Sequence, residues 1–383
     1  MKKRKIFIEF FASEKAGSIL LISCTLISLL LSNFLLKDDY LNKWHLKLAG
    51  KSVEQWINEG LMAIFFLLVG LELKREFKTG DLSNIKNALL PIVAAIGGVL
   101  APAGIFLLFN YGKPTQSGVG IPMATDIVFS LGILSLLGKK VPRSLKIFLT
   151  ALATIDDLFA IVLIAIFYTA SLSFLNLFIS LGIFGLLLIL NKLKIKSLIP
   201  YLIGGVLMWY FMLHSGVHST ISGVLLALAI PFDKEKGSSP SSYLQHQLHK
   251  PVTFVILPLF ALANTAIALS GGLPINSELS NSMGIFAGLV IGKPLGIFVF
   301  SFLSVSLGIC SLPRQVKWSE VFGIGILGGI GFTISIFICL LAFDQQDLVN
   351  QSKITVLISS CLSGLLGFLW LRSTLKKTSV VRA

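Results

Sequence analysis

Three charged side chains lie where a bilayer should forbid them. Asp156 and Asp157 are adjacent in LTALATIDDLFAIVLIAIFYT, and Lys293 sits in GIFAGLVIGKPLGIFVF. Along a helix rising about 1.5 Å per residue, Asp157 lies about 16 Å beyond Lys146 and Lys293 about 16 Å beyond Ser282, half of a roughly 30 Å hydrocarbon core. All three are therefore expected near the midplane. Facing lipid, each would cost about 2.5–3.5 kcal/mol on an insertion scale, so such residues normally face a wet cavity or a partner and mark an ion path.

The chemistry follows from the pairing. Neighbours on a helix point about 100° apart, so the two aspartates are expected to have different partners and different jobs. A carboxylate on a wet cavity binds either a proton or a small hard cation such as Na⁺ or Li⁺. Competition of the two at one carboxylate is all that cation/proton exchange requires. Lys293 can neutralise one aspartate or stabilise the negative C-terminal ends of interrupted helices, and Asp126 can do the converse at positive N-terminal ends. A buried lysine that gives up its proton as a cation arrives is a second role open to Lys293.

The rest of the chain must hold these groups in a membrane. Of its 383 residues, 55% are hydrophobic and 13% charged, too apolar for a soluble fold. Apolar runs predict twelve spans near 16–36, 59–73, 88–109, 118–138, 146–168, 173–191, 198–213, 215–231, 251–269, 282–307, 321–343 and 352–371. The net charge of +14 would suggest nucleic acid in a soluble protein. Here most Lys and Arg fall before the first span, in the even-numbered loops and after the last span, which predicts cytoplasmic termini and no nucleic-acid partner. The N-terminal MKKRKIFIEFFASEK and its long apolar run read as a retained first helix rather than a cleaved signal. Cys24, Cys310, Cys339 and Cys361 show no CxxC spacing and read as packing residues, not a zinc or disulfide framework.

Two spans are interrupted. GVGIPMATDIVFSLGIL carries Gly118, Gly120, Pro122 and Asp126, and FGIGILGGIGFTISIF carries Gly323, Gly325, Gly328, Gly329 and Gly331. Freed backbone at membrane depth is tolerated only where it is buried in protein or lines a cavity, and paired interrupted spans point to a transporter site. They are the middle members of two triplets, spans three to five and ten to twelve, which the charge pattern orients oppositely as inverted repeats. One membrane domain, 1–383, is expected. Its core bundle would come from 85–168 and 282–372, and its panel helices from 16–78 and 173–269. In the first external loop, polar and apolar residues alternate around Ala49 and Gly50, predicting a small β-hairpin within 43–56 whose edge could pair with a second copy.

The segments FFLLVGLELKRE, GIPMATDIVFSLGIL, ALATIDDLFAIVLIAIFYT, SGVHSTISGV, ILPLFALAN, IGKPLGIFVF and GGIGFTISIFI resemble the NhaA family of bacterial Na⁺/H⁺ antiporters, in order and along nearly the whole chain. The resemblance implies an all-α fold of twelve transmembrane helices with two broken, crossed helices. It also implies export of Na⁺ and Li⁺ against protons across the bacterial inner membrane, with no cofactor and no enzymatic activity. Asp157 would be the main cation and proton carboxylate, and Asp156 its accessory, paired with Lys293. Thr125 and Asp126 would belong to the broken span beside the site. Exchange would be electrogenic if the two carboxylates release two protons per cation, and a homodimer would form through the hairpin. A pH-response region would include Glu72, Arg75 and Glu76, with His246, His249 and His218 as further candidates because histidine titrates between pH 5 and 8. Gln245 stands where the family usually has an acid beside the first of these histidines, which implies a shifted pH response through them.

Other classes fit less well. A proton-coupled carrier of an organic cation would need an aromatic-lined pocket, which the sequence neither indicates nor excludes. An intramembrane aspartyl protease needs two aspartates meeting across two helices, whereas here the pair is contiguous and a GxGD element is absent. A channel differs in that its Na⁺ flux is not coupled to proton counterflow.

Overall fold

The computed structural model describes residues 14–169, 172–233, 239–268, 279–313 and 315–381. Apart from one short hairpin, the regular elements among the described residues are helices. Seven helices among the described residues are long and apolar enough to cross a membrane: Lys15–Leu35, Val53–Lys78, Asn87–Asn110, Arg143–Phe167, Phe174–Lys192, Leu279–Ser306 and Gln346–Leu375. Two bent pairs raise the number to nine: Pro114–Met123 with Ile127–Leu136 at 41°, and Trp318–Gly328 with Phe332–Ala342 at 44°. Nine of the twelve expected spans thus have a counterpart among the described residues by length and composition. Two of the expected spans are short helices, Ile199–Leu213 with 15 residues and Ile221–Ala229 with nine. The apolar run from 215 opens with non-helical SGVHST, and Gly216 at φ +85° takes a left-handed turn that only glycine adopts freely, so the helix starts late.

The chain divides into two compact units. One is formed by residues up to Ser23, by Asn84–Ala160 and by residues after Leu269; the other by Cys24–Ser83 and Ile161–Ala268. The start of the first helix thus belongs to the first unit and Ile161–Phe167 to the second.

In the second unit, Lys47 and Leu48 pair antiparallel with Ser52 and Lys51 around Ala49 (φ +51°) and Gly50 (φ +86°). Two successive positive φ values give a turn whose twist suits a hairpin. The hairpin occupies only the middle of the expected 43–56 segment. Lys37–His45 before it is helical, and after it Ser52 and Gln55 form a capping box that starts a helix at Val53.

In the first unit, close backbone approach sets where Lys293 points. A Cβ on Gly296 would lie 2.1 Å from the Gly97 carbonyl oxygen, and one on Gly97 2.3 Å from that of Gly296, so Ile85–Asn110 and Lys293–Ser306 cross where neither has a side chain. Just before Lys293 the helix widens into a π turn, Gly288–Gly292, a feature frequent at functional sites.

Candidate functional site

The two bent pairs are stitched together at their breaks. The Asp126 amide donates to the Ile330 carbonyl at 2.6 Å, Ser335 Oγ donates to Ile121 O at 2.6 Å, and Ser130 Oγ donates to Leu327 O at 3.0 Å. Around each break, Ala124–Asp126 and Gly329–Gly331, the chain leaves helical geometry, which exposes the orphan N–H and C=O groups that every helix end carries.

Asp126 satisfies the N-terminal ends of two half-helices. Its Oδ1 accepts from the Phe129 amide at 3.1 Å, capping Ile127–Leu136. Its Oδ2 accepts from the Thr333 amide at 3.0 Å and from Thr333 Oγ1 at 2.6 Å at the start of Phe332–Ala342. A carboxylate here meets the positive ends of both dipoles at once. Lys293 does the converse at the C-terminal end of Pro114–Met123, where its Nζ donates to the Met123 carbonyl.

Lys293 Nζ also reaches Asp156 Oδ2 at 2.5 Å, with both side chains wholly buried. Thr125 Oγ1 lies 2.6 Å from the same Oδ2 and 2.9 Å from the Gly328 carbonyl oxygen. A hydroxyl has one proton to donate. When Asp156 is ionised, Thr125 can satisfy the carboxylate or the carbonyl, but not both, so one oxygen is left for another donor or a cation. Asp156 Oδ1 is buried without a hydrogen-bond partner. Asp157, 3% exposed, is near enough to Lys293 to act on it electrostatically. Two carboxylates, a hydroxyl and the Gly328 carbonyl make an oxygen-rich set of the kind hard cations take.

The expected site residues therefore fall into two groups. Thr125, Asp126, Asp156, Asp157 and Lys293 all lie in the first unit around the breaks. The pH-response candidates lie in the second unit and are themselves divided. Glu72 and Gln245 are hydrogen-bonded to each other, and Arg75 pairs with Glu76 at 2.8 Å. His246 and His249 are exposed on Pro240–Pro251. His218 belongs to the other end of this unit, with Nδ1 2.8 Å from Thr220 Oγ1 and Lys51 nearby; the next residue, Ser219, bonds the Glu59 carbonyl, which lies about 20 Å along Val53–Lys78 from Glu72. Gln245, expected to act through the histidines, has Glu72 as a side-chain hydrogen-bond partner.

Sequence reading missed several groups. Thr333, the second residue of Phe332–Ala342, donates its hydroxyl to Asp126 across the two breaks. Lys353 is 2% exposed and Glu320 fully buried, although both stand at the ends of apolar runs where a charge reads as interfacial. The Gly328 carbonyl has no side-chain signal at all.

The model of the family "Na+/H+ antiporter 1" matches residues 8–371. The chain is 61% identical to the Na(+)/H(+) antiporter NhaA of Flavobacterium psychrophilum over 99% of both chains. It is 55% identical to that of Cytophaga hutchinsonii, over 98% of this chain and 97% of that one. The sodium proton antiporter MjNhaP1 of Methanocaldococcus jannaschii shares the fold at a TM-score of 0.56 and 14% identity, covering 98% of this chain and 99% of that one. With the family match along nearly its whole length and the broken helices at its buried charges, the chain belongs to the Na⁺/H⁺ antiporter 1 family: it is a multi-pass membrane transporter exchanging Na⁺ for H⁺, needs no cofactor and is not an enzyme.

Proposed function

We propose that exchange runs through Asp157, which binds Na⁺ or Li⁺ and protons in alternation, while Asp156 serves as accessory ligand and Lys293 and Asp126 compensate charge. The observation that carries this reading is that Asp156 Oδ2 is already committed to Lys293 and Thr125. Asp157, one residue on and about 100° around the helix, is buried and close enough to act on Lys293 through its charge. Asp157→Asn abolishes exchange because an amide cannot trade a proton for a cation, and Asp156→Asn impairs it less. Acridine-orange fluorescence in everted vesicles, with Na⁺, Li⁺ and K⁺ added across a pH series, measures this. A folded Asp157→Asn protein that still moves protons on Na⁺ addition sinks the assignment.

In this reading the transporter sits in the bacterial inner membrane with both termini cytoplasmic, its twelve transmembrane segments including two inverted triplets. It expels Na⁺ electrogenically, with two protons entering per cation, and works as a homodimer joined by the 47–52 hairpin. Its activity rises with pH through the region of Glu72, Arg75, Glu76 and Gln245. His246, His249 and His218 are further candidates in that response. The membrane potential then contributes about 2.3 kcal/mol per net charge per 100 mV. Collapsing it with valinomycin and K⁺ slows exchange; a rate indifferent to potential argues for one-for-one exchange.

A further inference from the structure

The start of the second inner half-helix is held by a residue from a different span. Ser360 Oγ, on Gln346–Val381, accepts hydrogen bonds from the Gly331 and Phe332 amides, each at 3.2 Å, and the side chain is 7% exposed. With Asp126 taking the Thr333 amide, three successive N–H groups at the start of Phe332–Ala342 are satisfied from outside the helix. The normal solution is a capping side chain at the N-cap itself. Here that position is Gly331, which has none, so the cap comes in trans.

We infer that Ser360 is a positioning residue for cation binding, acting through the second break on the Gly328 carbonyl and Thr125. Gly328 precedes Gly331 by three residues, and its carbonyl shares the single Thr125 proton with Asp156. Fixing Gly331 and Phe332 to a third helix holds that carbonyl against Thr125. The same two bonds draw off positive character at a helix start facing the site, where uncapped N–H groups would oppose an incoming cation. Ser360 touches neither aspartate in this arrangement. The break is tight as well, since a Cβ on Gly329 would lie 2.4 Å from the Leu289 carbonyl oxygen, leaving the loop little freedom to recover the lost bonds by shifting.

The inference rests on cation binding at Asp156 and Asp157, and its test separates the two. Na⁺-dependent exchange is measured in proteoliposomes at fixed pH for Ser360→Ala, Ser360→Thr and Asp157→Asn. Ser360→Ala is expected to raise the KM for Na⁺ about tenfold, the factor one lost buried hydrogen bond carries, with the maximal rate kept within about twofold. Ser360→Thr, which keeps the hydroxyl, is expected to stay within about twofold of the parent in KM. An unchanged KM in Ser360→Ala, a loss of maximal rate alone, or equal effects of Ala and Thr overturns the positioning role. Exchange surviving in Asp157→Asn instead overturns the reading of the site. Should the alanine protein not accumulate in the membrane, Ser360→Cys, with its weaker acceptor, is expected to raise KM about threefold; a cysteine protein with the parental KM overturns the inference.

Discussion

Removing Lys293 exposes the electrostatic construction of the site. Its Nζ bonds Asp156 Oδ2 at 2.5 Å and the Met123 carbonyl, and neither Lys293 nor Asp156 is reached by solvent. Lys293→Ala leaves a buried carboxylate without its cation, a loss of about 3–5 kcal/mol for breaking a buried pair from one side. The Met123 carbonyl loses its donor as well, adding about 1–3 kcal/mol where water cannot replace it. Replacing both partners removes the first cost but not the second. The double variant Asp156→Asn, Lys293→Ala is therefore expected to regain most of the lost stability, with a coupling energy between the two positions of at least about 2 kcal/mol. Unfolding of detergent-purified protein, followed by tryptophan fluorescence for the parent, both single variants and the double, closes the cycle. A Lys293→Ala protein as stable as the parent, or a double variant no more stable than the lysine single, refutes the claim that the pair is held by mutual compensation.

Three further outcomes test the surrounding framework. Asp126→Ala orphans two amides and a hydroxyl at two half-helix starts and is expected to cost about 3–9 kcal/mol in the same unfolding assay, at about 1–3 kcal/mol per buried group; Asp126→Asn, which can still accept, is expected to cost less than half as much, and equal costs would remove the capping account. Gly296→Ala puts a Cβ 2.1 Å from the Gly97 carbonyl oxygen, so the crossing must open; lowered stability and weakened exchange are expected, and a fully active, equally stable variant would show that the crossing does not set the position of Lys293. Gln245→Glu replaces the amide that bonds Glu72 with a second acid and is expected to move the pH of half-maximal exchange, whereas Gln245→Glu with the parental profile takes this position out of the pH response.

The midplane charges were legible from the chain alone because lipid is unforgiving. Asp156, Asp157 and Lys293 interrupt apolar runs, and no soluble context explains them at that cost. The two breaks were legible for the same reason, since Gly and Pro crowd them, and so was the hairpin turn at Ala49 and Gly50. The lengths of the individual helices were not. Hydropathy counts apolar residues but does not see the left-handed turn at Gly216 or Ile221–Ala229 stopping after nine residues. Partner choice also lay beyond the sequence. That Gln245 meets Glu72 and that Ser360 caps a helix beginning 28 residues before it both depend on how helices far apart in sequence cross, whereas the pairing of Asp156 with Lys293 was already implied by the family resemblance. Hydropathy measures what each residue does to water, whereas a hydrogen bond needs two atoms within about 3 Å, and only the packed helices decide which two.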